Sequence, residues 1–320
     1  MSELAVAAVA LGVTVAVTPV MMRVANRLGI VDRPGALKPQ TVPVPYLGGV
    51  AVFAGLVVGA AVGRPSVLVP LAMALVLGVG DDRFEVAPGL RLLGQLAVGV
   101  AITVTVPVHL AGAPAVVAVA AATVLVVNGV NLVDGLDTLA SGVVAVTAVG
   151  FALVDHGAGR DLAVALAAAL AGFLAYNRPP ARVYLGDGGS YLLGTALVVL
   201  VAASWGPGVA APVGVAALAL VAVPSAEVAF AVVRRLRGHR SLVTGDRGHP
   251  YDRLMQRRWS ILATSGAYAA VTALLAAGTV IAVHRATMAA AVAVDVAAAL
   301  VLVAGAAVTG ALHPDEETVT

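Results

Sequence analysis

The chain alternates between long apolar runs and short polar segments along nearly its whole length. A transmembrane helix needs about 20 mainly apolar residues, so runs near that length are candidate membrane spans. Eleven runs qualify, and the first lacks a cleavage-site context, so we interpret it as an anchor and not a signal peptide. The runs are 4–22, 46–63, 65–80, 90–107, 113–128, 139–154, 161–177, 189–205, 209–233, 261–283 and 286–308.

This pattern predicts an all-α polytopic integral membrane protein. Because the third and fifth runs are short, the prediction is about 11 transmembrane helices, or about 10 if one of them does not cross. The spans follow one another without a long polar interruption, so we expect a single transmembrane domain over residues 1–320.

Composition supports this class and excludes several others. Hydrophobic residues make up 60% of the 320 residues and charged residues 11%, and the mean hydropathy is +1.00. A soluble domain carries about 25% charged residues, so this chain has too few polar side chains to cover a water-facing surface. A disordered chain, a secreted domain, a nucleic-acid binder and a coiled coil are therefore excluded. The chain has no cysteine, which removes disulfides and thiolate chemistry.

The basic residues predict how the chain is oriented. With the N-terminus outside, all but three of the 19 Lys and Arg residues fall on the inner side, the exceptions being Arg64, Arg160 and Arg285. Such asymmetry marks the crowded side as cytoplasmic. Most acidic residues share those inner loops, so we expect an active-site cleft on the cytoplasmic face. The loops cover about 23–45, 81–89, 129–138, 178–188 and 234–260.

Adjacent carboxylates, Asp81 and Asp82, end the third predicted span. At a membrane boundary such a pair is costly to desolvate unless a cation lies between the two groups. Mg²⁺, which prefers carboxylates together with phosphate oxygens, is the candidate cation. A solvated acidic turn at the interface accounts for the same residues without any ligand.

Amide and carboxylate residues also follow the fifth span. Asn128, Asn131 and Asp134 recur at three-residue spacing, which places them on one face of a helix, and Asp137 follows a glycine break. Packing does not explain so many polar groups at the end of an apolar span, and we interpret them as ligand-binding. A polar helix cap followed by a turn is the simpler alternative.

Glycines surround Asp187 at the start of the eighth span. They allow backbone to approach a ligand closely, and the amides of a helix N-terminus suit anionic oxygens. An ordinary Gly-Asp-Gly turn is the alternative.

In the last inner loop, Arg247 and His249 lie among polar residues away from the span end, whereas most neighbouring arginines set topology or face lipid. Lys38 is the chain's lone lysine, and its compact ammonium suits a phosphate.

Taken together, the inner loops resemble those of the polyprenyl-phosphate N-acetylhexosamine-1-phosphate transferases. The resemblance covers most of the chain, with motifs in the family's order in five inner loops, and the agreement of five motifs is specific. The motifs are the Asp-x-Pro…Lys…Pro-x-x-Gly-Gly stretch from Asp32 to Gly49, Asp81-Asp82, the run from Asn128 to Asp137, Asn177 with Gly186-Asp187-x-Gly-Ser190, and Asp246-Arg247-x-His249.

The resemblance implies a helical bundle that transfers a sugar-1-phosphate, here GlcNAc-1-phosphate, from a UDP-sugar to a polyprenyl phosphate and releases UMP. It implies Asp81, Asp82 and Asp187 as catalytic residues, with Mg²⁺, or Mn²⁺ in its place, held by Asp187 and Asp82. Substrate-binding roles are implied for Lys38, Asn128, Asn131, Asp134, Asp137, Asn177, Arg247 and His249.

The same resemblance implies the partners and the place of action. The partners are the UDP-sugar donor, the polyprenyl phosphate acceptor and membrane lipids, with no nucleic acid, and a homodimer is an assembly that the family allows. The location implied is a bacterial-type cytoplasmic membrane, where the reaction would be the first membrane step of cell-wall polymer or surface glycan synthesis.

Several residues depart from the family pattern. Gln40 stands where the family often has His, and Thr138 follows Asp137 where the family has Gly. Pro250 to Asp252 follow His249 in place of a histidine-rich run, and Glu227 replaces an Asp. An acidic residue inside a membrane span is a functional candidate by default, and this applies to Glu227 and to Asp295, which has no motif around it.

Two alternatives are open at this point. The donor could instead be UDP-MurNAc-pentapeptide, which would make the protein a peptidoglycan enzyme, but the altered histidine loop and the eleventh span favour UDP-GlcNAc. A secondary transporter also carries membrane carboxylates, although transporters place them near the bilayer midplane. The acidic residues of this chain gather at one face, which favours the transferase.

Overall fold

The computed structural model describes residues 1–34, 42–109, 112–155, 157–242 and 247–313, so Lys38, Gln40 and Asp246 lie outside the described residues. The described residues form thirteen α-helices, two 3-10 segments and a pair of two-residue antiparallel strands in which Val31 lies opposite Pro45. This confirms the all-α class. The elements are α1 (Glu3–Leu28), β1 (Val31–Asp32), β2 (Val44–Pro45), α2 (Gly48–Gly63), a 3-10 turn (Pro65–Val67), α3 (Leu68–Phe84), α4 (Pro88–Thr105), α5 (Ala113–Val133), α6 (Leu139–Val154), α7 (Ala158–Asn177), α8 (Gly186–Ser204), α9 (Ala211–Ala216), a 3-10 segment (Ala217–Val221), α10 (Ala222–Arg237), α11 (Pro250–Gln256), α12 (Ile261–Arg285) and α13 (Met288–Thr309).

Each predicted span coincides with helical structure in the described part of the chain. Eight helices are long and apolar enough to cross a membrane when Ala211–Arg237 is counted as one, and α2 and α6 are shorter apolar helices. These helices confirm a polytopic membrane protein. The count of about 11 crossings and the outer N-terminus stay predictions.

The helices extend further than the apolar runs, so the predicted loop boundaries were wrong at several ends. Asp81 and Asp82 lie in the last turn of α3, Asn131 lies in α5, and Asp187 lies in the first turn of α8. A helix continues until its backbone hydrogen bonds are interrupted, whatever the polarity of its side chains. The chemistry-bearing residues are therefore placed by rigid helix ends and not by flexible loops.

The ninth predicted span, 209–233, coincides with the candidate span Ala211–Arg237, and its helix is interrupted part of the way along. A 3-10 segment, Ala217–Val221, separates α9 from α10 and ends three residues before Pro224. Pro224 has no N–H to donate to the carbonyl of Leu220 four residues earlier, so a regular α-helix cannot pass through this point. The hydroxyl of Thr147 on α6 donates to the Leu220 carbonyl instead, at 3.2 Å. Asp295 of α13 has a buried Oδ1 for which the described residues provide no hydrogen-bond partner.

Helix α8 forms the centre of the bundle, and it packs against α3, α5, α2 and α7. Glycines permit unusually close approach where α8 begins. A Cβ atom at Gly78 of α3 would lie 2.2 Å from the Asp187 carbonyl oxygen, and one at Gly49 of α2 would lie 2.4 Å from the Gly189 nitrogen. Small residues of this kind let helix backbones touch in a membrane protein. They fix the carboxylate-bearing ends of α3 and α8 against each other.

The segment 247–260, which we call the arm, contains α11 and joins the bundle through arginine side chains. Its arginines and those of α10 donate to backbone carbonyls at the C-terminal end of α13, where a helix leaves its last carbonyls without partners. Positive charge there also complements the helix dipole. The bonds run from Arg234 to Ala311 at 2.8 Å, from Arg237 to Leu312 at 3.1 Å, from Arg253 to His313 at 3.3 Å, and from Arg257 to Val308 and Thr309 at 3.0 and 3.1 Å.

Candidate functional site

Two helix ends meet around the carboxylate of Asp82. Its Oδ1 accepts the backbone N–H of Asp187 at 2.9 Å, and its Oδ2 accepts that of Gly188 at 3.0 Å. These amides belong to the first turn of α8, where free N–H groups and the helix dipole favour an anion. Gly186 has φ of +69°, and a Cβ atom there would lie 2.6 Å from Asp82 Oδ2. A side chain at this position would therefore displace the carboxylate.

Asp81 is 5% exposed and faces a different set of donors. Its Oδ2 accepts the Tyr191 hydroxyl at 2.7 Å and the Arg91 guanidinium at 3.2 Å, and its Oδ1 accepts the Val86 N–H at 2.9 Å. The three donors fix the carboxylate, and the carboxylate in turn holds Arg91 in place. About a third of the Arg91 side chain stays exposed, at 34%.

Asn131 links α5 to this centre. Its Nδ2 donates to Asp187 Oδ1 at 2.6 Å and to the Ser190 hydroxyl at 3.1 Å. Asn128 lies one turn earlier and points elsewhere, since its Nδ2 donates to Gln95 Oε1 on α4 at 2.6 Å. The structure therefore joins Asn131 to the predicted catalytic carboxylates and places Asn128 in the packing between α4 and α5, so its substrate contact stays a prediction.

A polar cavity of ≈ 340 Å³ opens beside these carboxylates. Within the described ranges it brings together residues from the inner segments after α1, α5, α7 and α10. Burial, and next the nearby charges of Asp187, Asp82 and Asp137, raise the pKa of Asp134 well above its ordinary value. A raised pKa favours the protonated form of the carboxyl, and that form can donate a hydrogen bond to a ligand oxygen. The lining residues are Asp32, Tyr46, Asp134, Gly135, Leu136, Asp137, Asn177, Tyr184, Gly186, Arg247 and Ile261.

Asn177 holds the turn that carries Asp137. Its Oδ1 accepts the Thr138 N–H at 2.9 Å and the Ser141 hydroxyl at 2.8 Å, and its Nδ2 donates to the Val183 carbonyl at 3.0 Å. Asp137 Oδ2 accepts the Ala181 N–H at 2.9 Å, which opposes the rise in its pKa that burial causes. The long-range bonds of Asn177 fix two walls of the cavity relative to each other.

Arg247 and His249 take different places although they are two residues apart. Arg247 lines the cavity with its side chain 59% exposed, and its guanidinium lies 3.7 Å from Asp252 Oδ1. His249 is 2% exposed, and its Nδ1 lies 2.9 Å from Glu227 Oε2. Arg247 can therefore meet a ligand directly, and His249 is held among buried side chains.

The donor set at this end fits a magnesium ion bound in one particular way. Among the described residues, no three carboxylate or histidine side chains are grouped as a complete metal site. Mg²⁺, however, is usually held by one or two carboxylates and completes its shell with water and substrate phosphates. Asp187 and Asp82 supply two such carboxylates, and each oxygen keeps a lone pair after its hydrogen bond. The residues present therefore fit a metal that arrives with a phosphate ligand.

Sequence reasoning missed several residues that structure brings to the site. Tyr46 and Tyr184 face the cavity with ring centroids 6.2 Å apart, and Arg91 and Tyr191 bond Asp81. Burial, and next the charges of Asp137, Asp32 and Asp134, raise the pKa of Tyr184 to about 12, which keeps its hydroxyl protonated. Tyr184 lies three residues before Asp187, and that proximity was the available signal. Nothing in the sequence distinguishes Arg91 from the other arginines of the predicted inner loops.

The fold and this site define a multi-pass α-helical membrane protein with a carboxylate-lined cavity at one end of its bundle. The sequence profile of glycosyl transferase family 4 matches residues 65–204, which contain α3 to α8. A decaprenyl-phosphate N-acetylglucosaminephosphotransferase from Mycobacterium tuberculosis is 32% identical, in an alignment covering 74% of this chain and 72% of the relative. The chain therefore belongs to glycosyl transferase family 4, which confirms the resemblance found in the motifs.

Other relatives differ in how much of the chain they match. A probable undecaprenyl-phosphate N-acetylglucosaminyl 1-phosphate transferase from Bacillus subtilis is 29% identical over 75% of this chain and 73% of its own length. A phospho-N-acetylmuramoyl-pentapeptide-transferase from Desulforamulus reducens is 54% identical, but over 22% of each chain. The long alignments are thus to proteins named for N-acetylglucosamine, and the short, high-identity one is to a protein named for the muramoyl pentapeptide.

Proposed function

We propose that the protein transfers GlcNAc-1-phosphate from UDP-GlcNAc to a polyprenyl phosphate and releases UMP. The observation that carries the proposal is the convergence of Asp82, Asp187 and Asn131 beside a polar cavity of ≈ 340 Å³. Relatives aligned over most of the chain are named for this reaction. We also propose that the cavity faces the cytoplasm of a bacterial cytoplasmic membrane, as the basic residues indicate.

The reaction brings two anions together, and this is the main physical demand on the site. An oxygen of the lipid phosphate attacks the phosphorus that carries the sugar, and the bond from that phosphorus to the UMP oxygen breaks. Phosphoryl transfer of this kind depends on positioning and on neutralising negative charge. Bound at Asp187 and Asp82, Mg²⁺ would neutralise the diphosphate and stabilise the leaving UMP.

Asp81 and Arg91 serve the acceptor in this proposal. Arg91 is a cation bonded to Asp81 with 34% of its side chain exposed, and a guanidinium binds phosphate oxygens in a fixed geometry. Asp81 has three hydrogen-bond donors on its oxygens, so its contacts fit a residue that positions Arg91 and Tyr191. We assign Asp81 this positioning role rather than that of a base.

The donor occupies the polar cavity. Arg247 lines the wall where the diphosphate would lie, and Asp137 and Asp134 offer acceptor and donor groups for the uridine. The Tyr184 ring presents an aromatic face to a base in the same space. Asn177 does not need to touch the donor, since its three hydrogen bonds already fix the cavity walls.

The test is UMP release by the purified protein with a polyprenyl phosphate and either UDP-GlcNAc or UDP-MurNAc-pentapeptide. We expect release with UDP-GlcNAc, loss of release after EDTA, and its return on adding Mg²⁺. The Asp187→Asn variant should lose at least about a thousandfold in kcat, since it removes a group on which charge neutralisation depends. The Asp155→Asn variant is the matched control, because Asp155 caps α6 at the opposite end of the bundle.

Three outcomes would overturn parts of the proposal. Release with UDP-MurNAc-pentapeptide alone would favour the muramoyl reaction, which the 54% local identity makes the second candidate. Uptake of unchanged substrate into sealed vesicles, without UMP release, would indicate a transporter. Full turnover by Asp187→Asn, or turnover that ignores EDTA, would contradict the assigned metal site.

A further inference from the structure

A buried carboxylate in α10 joins three elements at one point. Glu227 is 2% exposed, and its Oε2 lies 2.9 Å from Nδ1 of His249, at the start of α11. Its Oε1 accepts the hydroxyl of Tyr268, on α12, at 2.5 Å. Both oxygens are therefore engaged, one by the arm and one by the bundle.

Burying an acidic side chain in a membrane span is costly, and apolar residues would pack this position at lower free energy. Two donors converge on the Glu227 carboxylate and offset that cost. Stability alone therefore does not account for an acidic residue at this position. Its two hydrogen bonds join the arm to α12, and this connection indicates the role of Glu227.

The contacts continue from His249 to the cavity. The His249 ring stacks on the Tyr251 ring with centroids 5.3 Å apart and planes 4° apart, and Tyr251 meets the Tyr268 ring edge-on at 6.4 Å. A Cβ atom at Gly135 would lie 2.3 Å from the Tyr251 hydroxyl oxygen, so Tyr251 packs directly on the Gly135 backbone. Gly135 lies between Asp134 and Asp137 in the cavity wall.

We propose that Glu227 and Tyr268 are positioning residues for the sugar-nucleotide donor, an inference that rests on the proposed function. They fix the His249 ring, His249 fixes Tyr251, and Tyr251 supports the turn that carries Asp134 and Asp137. These contacts thereby hold the arm in the position at which Arg247 lines the cavity. None of these contacts touches the carboxylates of α3 and α8, so the network acts on donor binding and not on the transfer step.

Glu227→Gln is the direct variant, because an amide has one acceptor oxygen and cannot accept from both Tyr268 and His249. Its nitrogen can donate to His249 Nδ1 only in the other tautomer of the ring, so the hydrogen bond to a charged carboxylate is lost in either case. We expect KM for the UDP-sugar to rise about tenfold with kcat within about twofold, the size expected for one lost hydrogen bond to a charged group. Tyr268→Phe should move KM in the same direction. Asp295→Asn is the matched control, because it also converts an intramembrane acid to an amide but has no contact with the arm.

A second readout does not depend on activity. The chain has no native cysteine, so a spin label on Gln256→Cys, at the end of α11, reports arm motion alone. We expect the label to become more mobile in Glu227→Gln and to stay unchanged in Asp295→Asn. The Glu227→Gln and His249→Gln changes should combine less than additively in KM, since both break the same contact.

The outcomes separate this inference from the proposed function. If Glu227→Gln leaves KM and label mobility at wild-type values, the inference is wrong. It is also wrong if kcat and the melting temperature fall together with KM unchanged, since Glu227 would then act only through folding. If the wild-type protein releases no UMP from either donor, the proposed function fails, and the spin label still tests whether Glu227 holds the arm.

Discussion

At the scale of single residues, the site depends on backbone positions as much as on side chains. Thr138 is the clearest case, because it follows Asp137 with φ of +65°. Its N–H donates to Asn177 Oδ1 at 2.9 Å, which holds the backbone in this conformation. A left-handed conformation costs a non-glycine residue about 1–2 kcal/mol, and a β-branched side chain is among the least suited to it. A glycine at this position would adopt it freely.

Replacing Thr138 with glycine should therefore stabilise the protein. We expect Thr138→Gly to raise the free energy of unfolding by about 0.5–1 kcal/mol, because relief of backbone strain outweighs the flexibility that glycine adds. Thermal unfolding in detergent measures the change. Thr138→Ala is the control, since it loses the hydroxyl but keeps the strained Cβ, and it should give no stabilisation. A lower melting temperature for Thr138→Gly would contradict the strain argument.

Asp252 predicts a specific pH dependence of stability. Burial, opposed by His249 and Arg247, raises its pKa from 3.8 to about 6 in the folded protein. Because the folded state binds this proton more tightly, the contribution to stability is full below about pH 4 and is lost as pH rises through about 6. Asp252→Asn removes the effect, so the variant should gain melting temperature relative to wild type as pH rises from about 4 to about 7, with no further change above that. Parallel pH curves for the two proteins would disprove the shift.

At the scale of elements, the interruption before Pro224 shows how a span keeps its backbone satisfied. Two neighbouring helices donate hydroxyl groups to carbonyls of residues 216–221, and inside a membrane no water is available to replace these donors. The Thr147 hydroxyl donates to the Leu220 carbonyl at 3.2 Å, and the Thr279 hydroxyl donates to the Ala216 carbonyl at 3.4 Å. The interruption is thus supported by α6 and α12 as well as by its own sequence.

Thr147→Val tests this account of the interrupted span. The change keeps the side-chain shape but leaves the Leu220 carbonyl without its donor, so we expect a loss of about 1–2 kcal/mol in stability. Thr272→Val is the matched control, because the Thr272 hydroxyl bonds the Tyr268 carbonyl of its own helix, four residues earlier. Chemical denaturation in detergent compares the two. Equal losses would show that the effect comes from any threonine and not from the interruption.

The sequence predicts elements well where one physical rule dominates. Polar residues, Thr138 and Asp155, bound one apolar run, so the predicted span 139–154 matches Leu139–Val154 to the residue. The sequence predicts a helix end wrongly where the helix continues past its apolar part, as α3 does through Asp81 and Asp82. The pairing of Asn131 with Asp187, and of Glu227 with His249, joins residues far apart in the chain. Spacing within one segment cannot reveal such pairs, although the motifs identify most of the residues that form them as candidate site residues.

At the scale of the whole molecule, the described inner segments meet at one end of the bundle. The Tyr184 N–H donates to the Pro45 carbonyl at 2.9 Å, which joins the segment after α1 to the one before α8. The end of α3, the end of α5 and the arm meet the same region. The fold itself therefore creates the shared cavity. That the cavity faces the cytoplasm stays a prediction.

Cysteine labelling tests that orientation, and the absence of native cysteine makes it simple. Single cysteines at Arg83 and Arg182 should be hidden from a membrane-impermeant reagent in intact cells and should react after permeabilisation. A cysteine at Gly208, at the other end of the bundle, should react without it. If Arg83 and Arg182 positions were labelled from opposite sides, the carboxylates could not share one cavity, and the proposed function would fail on geometry.

The hydrogen bonds from the arm's arginines to the end of α13 determine when, during synthesis, the arm can take its final place. The arm precedes α13 in the chain, so during synthesis it leaves the ribosome before the carbonyls of Val308 and His313 exist as partners. Chains fold as they are made, at about 5–20 residues per second, so the arm waits several seconds for its anchor. We therefore expect the cavity that Arg247 lines to be completed only when the final helix has been inserted, so a nascent chain halted before α13 would hold the carboxylates of α3 and α8 without this part of the cavity wall.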